Sequence, residues 1–212
     1  MSFSFGLGMC SKVVFYTIVS AVASEIVWKI VQKYFYQPSI GSEKTMVLFF
    51  PDKSLKKRTD LYSKTALGEN LELILKYLDE AKKSLDICVF FLSYNPLVNA
   101  VIRARKRRLK IRVITDEDTM KNAYSPIYDL VQNNIEVRSK AMDHYLMHHK
   151  FIVIDKKILL NGSANWTPQA FEGNYENIII TEKKNIVKSF VKQFNDHWAK
   201  LEVKYDPIPI KI

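Results

Sequence analysis

Cysteine is scarce in this 212-residue sequence, with two residues, Cys10 and Cys88. They stand far apart, and Cys88 sits inside an apolar run that reads as a core strand. That inventory excludes a disulfide framework, offers no zinc-ligand spacing and fits a reducing compartment. Long apolar runs are missing too. The uninterrupted stretch Val13 to Ala23 is shorter than the roughly 20 residues that cross a bilayer, and Glu25 and Lys29 interrupt its continuation. No long internal repeat is present. Acidic residues are outnumbered, 22 Asp and Glu against 32 Lys and Arg, for a net charge of +10. That balance favours polyanionic partners, nucleic acid or an anionic lipid surface, with solubility alone as the plainer reading.

What is present is a core. Hydrophobic residues are 48% and charged residues 25%, which excludes a disordered chain. Residues 13–31 have three open readings: a marginal transmembrane anchor running to Tyr34-Phe35-Tyr36, an interfacial amphipathic helix, or a cleaved signal. The anchor is preferred. The lysines after it place the following domain in the cytosol. Gln37 to Ser42, with Pro38 and Gly41, reads as a linker. The expected layout is therefore an anchor helix over 1–36, a linker over 37–43 and a folded domain over 44–208.

Within that domain, strands are expected at Lys44 to Phe50, Leu85 to Leu92, Lys110 to Thr115, Ile135 to Arg138, Phe151 to Ile154, Ile158 to Leu160 and Tyr175 to Thr181. Helices are expected at Asn70 to Lys83, from Asn95 as N-cap to about Arg108, at Met120 to Val131, at Trp166 to Phe171 and at Asn185 to Leu201. The last should turn Ile186, Phe190, Val191, Phe194 and Trp198 inward. The alternation predicts an α/β fold, a mixed sheet with helices on both faces. Asp52 to Gly68 reads as a long basic loop.

The most informative stretch is His148-His149-Lys150-Phe151-Ile152-Val153-Ile154-Asp155, continued by Gly162-Ser163-Ala164-Asn165-Trp166. Alternate side chains of a strand share a face, so His148 and Lys150 project together and His149 points away. An imidazole and an ammonium at the end of a buried strand suit an anionic substrate. Ser163 and Asn165 add a hydroxyl and an amide for phosphate oxygens, and Gly162 allows close backbone approach.

The spacing His148-x-Lys150-x4-Asp155-x6-Gly162-Ser163-x-Asn165 resembles the phospholipase D signature, with each defining position filled. Tyr145 to Lys150, Asn165-Trp166-Thr167, Glu176-Asn177 and Val47 to Pro51 resemble its Zucchini, or mitochondrial phospholipase D-like, branch. The resemblance implies the phospholipase D-like fold and phosphodiester cleavage. It implies that His148 attacks phosphorus, that Lys150 and Asn165 hold the non-bridging oxygens with Ser163 assisting, and that Glu176 hydrogen-bonds the imidazole. Asp155 completes the motif as a structural partner. Such enzymes need two motifs, and here there is one, so a homodimer is expected to supply the second His148. No metal or other cofactor is needed for that chemistry. The family's structural zinc is not transferred, because residues 52–68 hold neither Cys nor His.

The resemblance further implies the mitochondrial outer membrane and its lipid, maturation of PIWI-interacting RNA precursors, and PIWI-type proteins as partners. Two substrates compete, single-stranded RNA and cardiolipin. No obvious apolar loop stands near the motif, which favours RNA. A membrane-tethered RNA-binding scaffold is the non-enzymatic alternative. Lys53, Lys56, Lys57 and Arg58 are expected to form one wall of a substrate-binding rim, and Arg105 and Arg108, in the run Arg103 to Arg112, another. For that run a solvated helix end is the plainer reading. Asp143 and His144 read as solvated loop residues. Asp116, Glu117 and Asp118 read as caps of the following helix.

Overall fold

The computed structural model describes residues 14–17, 19–20, 22–29, 44–52, 67–117, 126–140 and 145–201. The chain separates into two compact units, Met1–Ser42 and Glu43–Ile212. In the first unit the described residues are helical. Its apolar side chains, among them Phe15, Tyr16 and Trp28, are exposed. Glu25 and Lys29 form the expected pair one turn apart, at 3.2 Å. Among the described residues, no helix is long and apolar enough to cross a membrane. The linker, the start of the helix expected from Met120, and Asp118, Asp143 and His144 lie outside the described residues.

The second unit holds a seven-stranded sheet in the order β1-β7-β6-β5-β2-β3-β4. The strands are β1 (Thr45–Phe50), β2 (Ser84–Val89), β3 (Lys110–Asp116), β4 (Glu136–Lys140), β5 (Lys150–Ile154), β6 (Ile158–Gly162) and β7 (Glu176–Thr181). β2, β3 and β4 pair in parallel, and the remaining neighbours pair antiparallel. The sheet is mixed, as the alternation of elements predicts. The helices are α1 (Glu69–Glu80), α2 (Asn95–Lys106), α3 (Ile127–Gln132), α4 (Pro168–Glu172) and α5 (Lys184–Lys200).

Strand parity sorts the core into two halves. Leu85, Ile87, Val113, Ile152, Ile154 and Leu160 face α1 to α4. Cys88, Ile114, Phe151, Val153 and Leu159 face α5, which contributes Val187 and Phe194. Burial of each such side chain stabilises by roughly 1.5–3 kcal/mol. Helices therefore cover both faces. The Cys88 thiol, sealed in the second half, is pushed up to about 12 by burial. Arg112 fastens α5 to the sheet. It donates to the buried Asp86 at 2.8 Å and to Asn195 at 2.9 Å, and lies over the Phe194 ring.

Two local expectations need correction. Asn95 is the first residue of α2 and not its N-cap; Tyr94 precedes the helix without a side-chain cap. Pro96 fixes the first turn without help. Ile186 is exposed, and Val187 takes the inward position on α5. Asp116 is buried and accepts from the N–H of Met147 at 3.3 Å, so it ties β3 to the chain entering the motif.

Candidate active site

Strand directions decide what can meet. Val89 pairs with Lys150, so the start of β5 lies at the end of β2. Gly162 pairs with Ile178, and Phe50 with Glu176. The starts of β5 and β7 and the ends of β1, β2 and β6 thus form one edge, called here the motif end. The β5–β6 turn, the start of β2 and the start of β3 form the opposite edge, the far end.

At the motif end the ladder continues past β5. The N–H of Phe90 donates to the carbonyl of His149 at 2.9 Å, and the Thr115 hydroxyl donates to the carbonyl of Phe90 at 3.1 Å. These bonds set the Phe90 ring within reach of both predicted residues. Its centroid is 4.9 Å from the His148 ring and 5.2 Å from Lys150 Nζ. The second is a cation–π contact. Lys150 Nζ also donates to the His148 carbonyl at 2.9 Å. Burial lowers the Lys150 pKa, and the nearby Glu176 carboxylate opposes that shift. His149 turns the other way. Its ring lies 5.4 Å from Phe151 and 5.4 Å from His197 of α5. Burial lowers its pKa, with His197, Lys150 and His148 adding repulsion. Phe90 was missed in reading the sequence. The available signal was an aromatic residue one step beyond a buried strand that ends beside the motif.

Ser163 and Asn165 arrive from β6. The N–H of Ser163 donates to the Asn177 carbonyl, and its hydroxyl accepts from the Asn177 N–H, both at 3.1 Å. The hydroxyl proton remains free to be donated to a phosphate oxygen. Gly162 is required here by backbone rather than by ligand. A Cβ would stand 1.9 Å from the Asn177 carbonyl oxygen. Trp166, next to Asn165, is bound on both sides: its N–H donates to Phe91, and its carbonyl accepts from Ser93 and Tyr94. Asn165 Oδ1 is buried and has no partner among the described residues. At this edge it can accept from a donor brought in from outside.

Glu176 opens β7 at this end, but its hydrogen bond goes to Asn174 Nδ2 at 3.2 Å rather than to His148. Asp155 stands at the far end, one strand length from His148. Its carboxylate accepts from the N–H groups of Lys82, Lys83 and Ser84. Burial opposes its ionisation, but the three donors and Lys157 outweigh that and hold the carboxyl below the usual range. It braces the sheet and touches no group of the motif end.

Arg105 and Arg108, expected to rim the substrate, also belong to the far end. α2 returns the chain to the start of β3, where Lys110 donates its N–H to Lys83. They do not border this chain's own motif end. Lys53, Lys56, Lys57 and Arg58 lie outside the described residues. The flanks of their segment are pinned together at the motif end. Asp52 Oδ2 accepts from the Asn70 N–H at 2.6 Å, and Asn70 Nδ2 donates to the Phe49 carbonyl at 2.9 Å. Residues 52–68 hold neither Cys nor His, an inventory that does not fit a structural zinc.

The expectation of no apolar loop beside the motif is overturned. Tyr145 is 78% exposed and Leu146 60%, directly ahead of His148. Tyr175, at 95%, and Phe49, at 68%, extend this rim along the same end.

The family model described as "Cardiolipin synthase, PLD-like domain" matches residues 74–198. Three curated relatives are named mitochondrial cardiolipin hydrolase. The Xenopus laevis protein is 42% identical over 134 residues, 63% of this chain and 61% of its own. The Homo sapiens protein is 40% identical over 146 residues, 68% of this chain and 58% of its own. The Chlamydomonas reinhardtii protein is 36% identical and covers 71% of each chain. The match thus spans about six-tenths of the Xenopus laevis and human relatives. Among solved structures, the phospholipase D family member Nuc from Salmonella typhimurium superposes with a TM-score of 0.63 at 20% identity. It covers 77% of this chain and 99% of its own. NucT from Helicobacter pylori gives 0.64 at 23% identity, with 76% and 99% covered. These two establish the shared fold. The motif His148-x-Lys150, set at the edge of a seven-stranded mixed sheet, and a family match over more than half the sequence lead to one conclusion: the chain belongs to the phospholipase D-like family and stands beside its members named mitochondrial cardiolipin hydrolases.

Proposed function

We propose that this chain is a membrane-associated mitochondrial phosphodiesterase, and that its substrate is single-stranded RNA. The observation that carries the reading is the placement of His148 and Lys150 against one ring, Phe90, with Ser163, Asn165 and Glu176 at the same edge. His148 attacks phosphorus, a P–N bond forms, and the bond to the leaving oxygen breaks. That oxygen takes a proton from a second imidazole. Water then attacks the phosphohistidine, giving its proton back to the second imidazole, and releases the phosphate product. Lys150, Asn165 and Ser163 bear the charge of the phosphoryl oxygens.

One chain supplies one such histidine. His149 faces α5, His197 is on α5, and His144 lies ahead of the motif strand, outside the described residues. We assign the acid to His148 of a second copy, brought in by a two-fold axis. The unpartnered Asn165 Oδ1 at this edge is consistent with a site completed from outside.

Exposed Tyr145, Tyr175 and Phe49 give stacking surfaces for unpaired bases, which supports RNA. Cardiolipin is the second reading. It is favoured by the names of the relatives and by Leu146, which with the same aromatics forms an apolar rim able to meet acyl chains. PIWI-type proteins follow as partners under the first reading. The deciding test offers single-stranded RNA and cardiolipin to one purified preparation. RNA should be cleaved, and His148→Ala should abolish cleavage with the fold intact. Turnover of cardiolipin alone would overturn the RNA assignment.

A further inference from the structure

At the far end, three turns are hydrogen-bonded into one plate. The Asp155 carboxylate accepts from Lys82, Lys83 and Ser84 N–H at 2.9, 2.6 and 2.9 Å. The Asp155 N–H donates to the Ser84 carbonyl at 2.8 Å, and the Lys110 N–H donates to the Lys83 carbonyl at 3.0 Å. Arg108, Asp155 and Lys156 sit at φ of 68°, 54° and 56°, which marks tight reversals of the chain. The plate presents Lys82, Lys83, Arg108, Lys110, Lys156 and Lys157, all exposed. Each is free of any ion pair among the described residues. Asp155 is committed to the backbone, and the nearby Glu80 lies 3.9 Å from Lys76. The result is a fixed array of net positive charge, six cations against the one carboxylate of Asp155, made by residues far apart in sequence.

No exposed aromatic side chain lies among these turns. A surface for single-stranded nucleic acid interleaves cations with stacking rings, whereas a plane of lipid phosphates asks for charge alone. The polypeptide also enters the sheet at this end. The Lys44 carbonyl accepts from the Glu182 N–H at 3.0 Å, and Thr45 pairs with Thr181. The sequence ahead of Lys44 carries the exposed apolar side chains of the first unit. We infer that this plate docks on the headgroup phosphates of an anionic bilayer, which turns the motif end away from that bilayer. The inference rests on the phosphodiesterase reading and deepens it. A site facing away from its own membrane acts on a soluble phosphodiester, which selects RNA over lipid.

The test uses the full chain on phosphatidylcholine vesicles with and without phosphatidylserine. A soluble amine-reactive reagent is added, and modification of each lysine is read by mass spectrometry. Lys82, Lys83, Lys110, Lys156 and Lys157 should react about fivefold more slowly on the anionic vesicles, with the protection removed by high salt. A variant combining Lys82→Gln, Lys83→Gln, Lys156→Gln and Lys157→Gln should lose the protection of Lys110 while cleaving RNA in solution at the native rate. Equal reactivity on both vesicles would overturn the docking. Protection by single-stranded RNA without vesicles would overturn the lipid assignment and make the plate a nucleic-acid surface. Protection on anionic vesicles, with no RNA cleavage by the same preparation, would leave the docking standing and sink the substrate reading alone.

Discussion

The imidazole of His148 lies 4.9 Å, centroid to centroid, from the ring of Phe90, and the ammonium of Lys150 stands 5.2 Å from the same ring. One aromatic side chain thus contacts both members of the His-x-Lys pair. Its backbone is bonded to His149 and to Thr115, so it is held from two neighbouring strands. A ring in that place limits the rotamers of both groups and makes a cation–π contact with the Lys150 ammonium.

Phe90→Leu keeps the volume nearly constant and removes the ring. It should lower kcat by roughly 2- to 10-fold, the range expected of one aromatic contact. Phe90→Tyr should retain most of the rate. Unchanged kcat in Phe90→Leu would show that the ring is only packing.

Lys150→Ala removes a fixed charge beside the phosphate. A loss of roughly 100- to 1000-fold in kcat is expected, as for one oxyanion contact. Native kcat in Lys150→Ala, measured with the fold intact, would remove Lys150 from the site.

Asp155→Ala separates structure from catalysis within one motif. Loss of three backbone bonds, and of a residue tolerant of positive φ, should cost roughly 2–3 kcal/mol of stability. The kcat of the folded fraction should stay near native. The folded pKa of Asp155 is depressed, so its stabilising effect is present above the ordinary carboxylate value and disappears as pH falls through the folded one. Urea denaturation should therefore show a wild-type advantage that is full at about pH 7 and shrinks below about pH 4. An advantage independent of pH would contradict the assignment.

His149 gives the same sign at a higher pH. Its pKa is lowered by burial, with His197, Lys150 and His148 adding repulsion, so the folded state binds the proton less readily than the unfolded chain. Stability should fall as pH drops through the ordinary imidazole range, and His149→Gln should flatten that limb. From α5 the His197 ring faces it, and His197 is itself 2.7 Å from Gln193. Identical acid limbs in the two proteins would show that this histidine pair does not matter to folding.

Local pattern made the elements legible. Phe151 to Ile154 and Ile158 to Leu160 alternate around a two-residue turn, and the period of Val187, Phe190, Val191 and Phe194 specifies one helix face. The parity argument separating His148 and Lys150 from His149 needed only the two-residue repeat of a strand. Ile186 was misplaced because a helix end has no neighbour to fix its facing. Arg105 and Arg108 were assigned to the wrong edge by charge alone. A topological rule could have placed them, since a helix joining two parallel strands ends where the second strand begins. The bonds from Asp155 to Lys82 and Lys83 span more than seventy residues of sequence, and no spacing rule reports them.

The central claim is that one active site is shared by two chains, and subunit mixing tests it most directly. Wild-type and His148→Ala chains are combined in equal amounts, exchanged to equilibrium and assayed for phosphodiester cleavage. A site needing both His148 side chains should leave about a quarter of the wild-type activity, since only wild-type pairs work. Recovery of about a half, with each wild-type chain acting alone, would contradict the shared site.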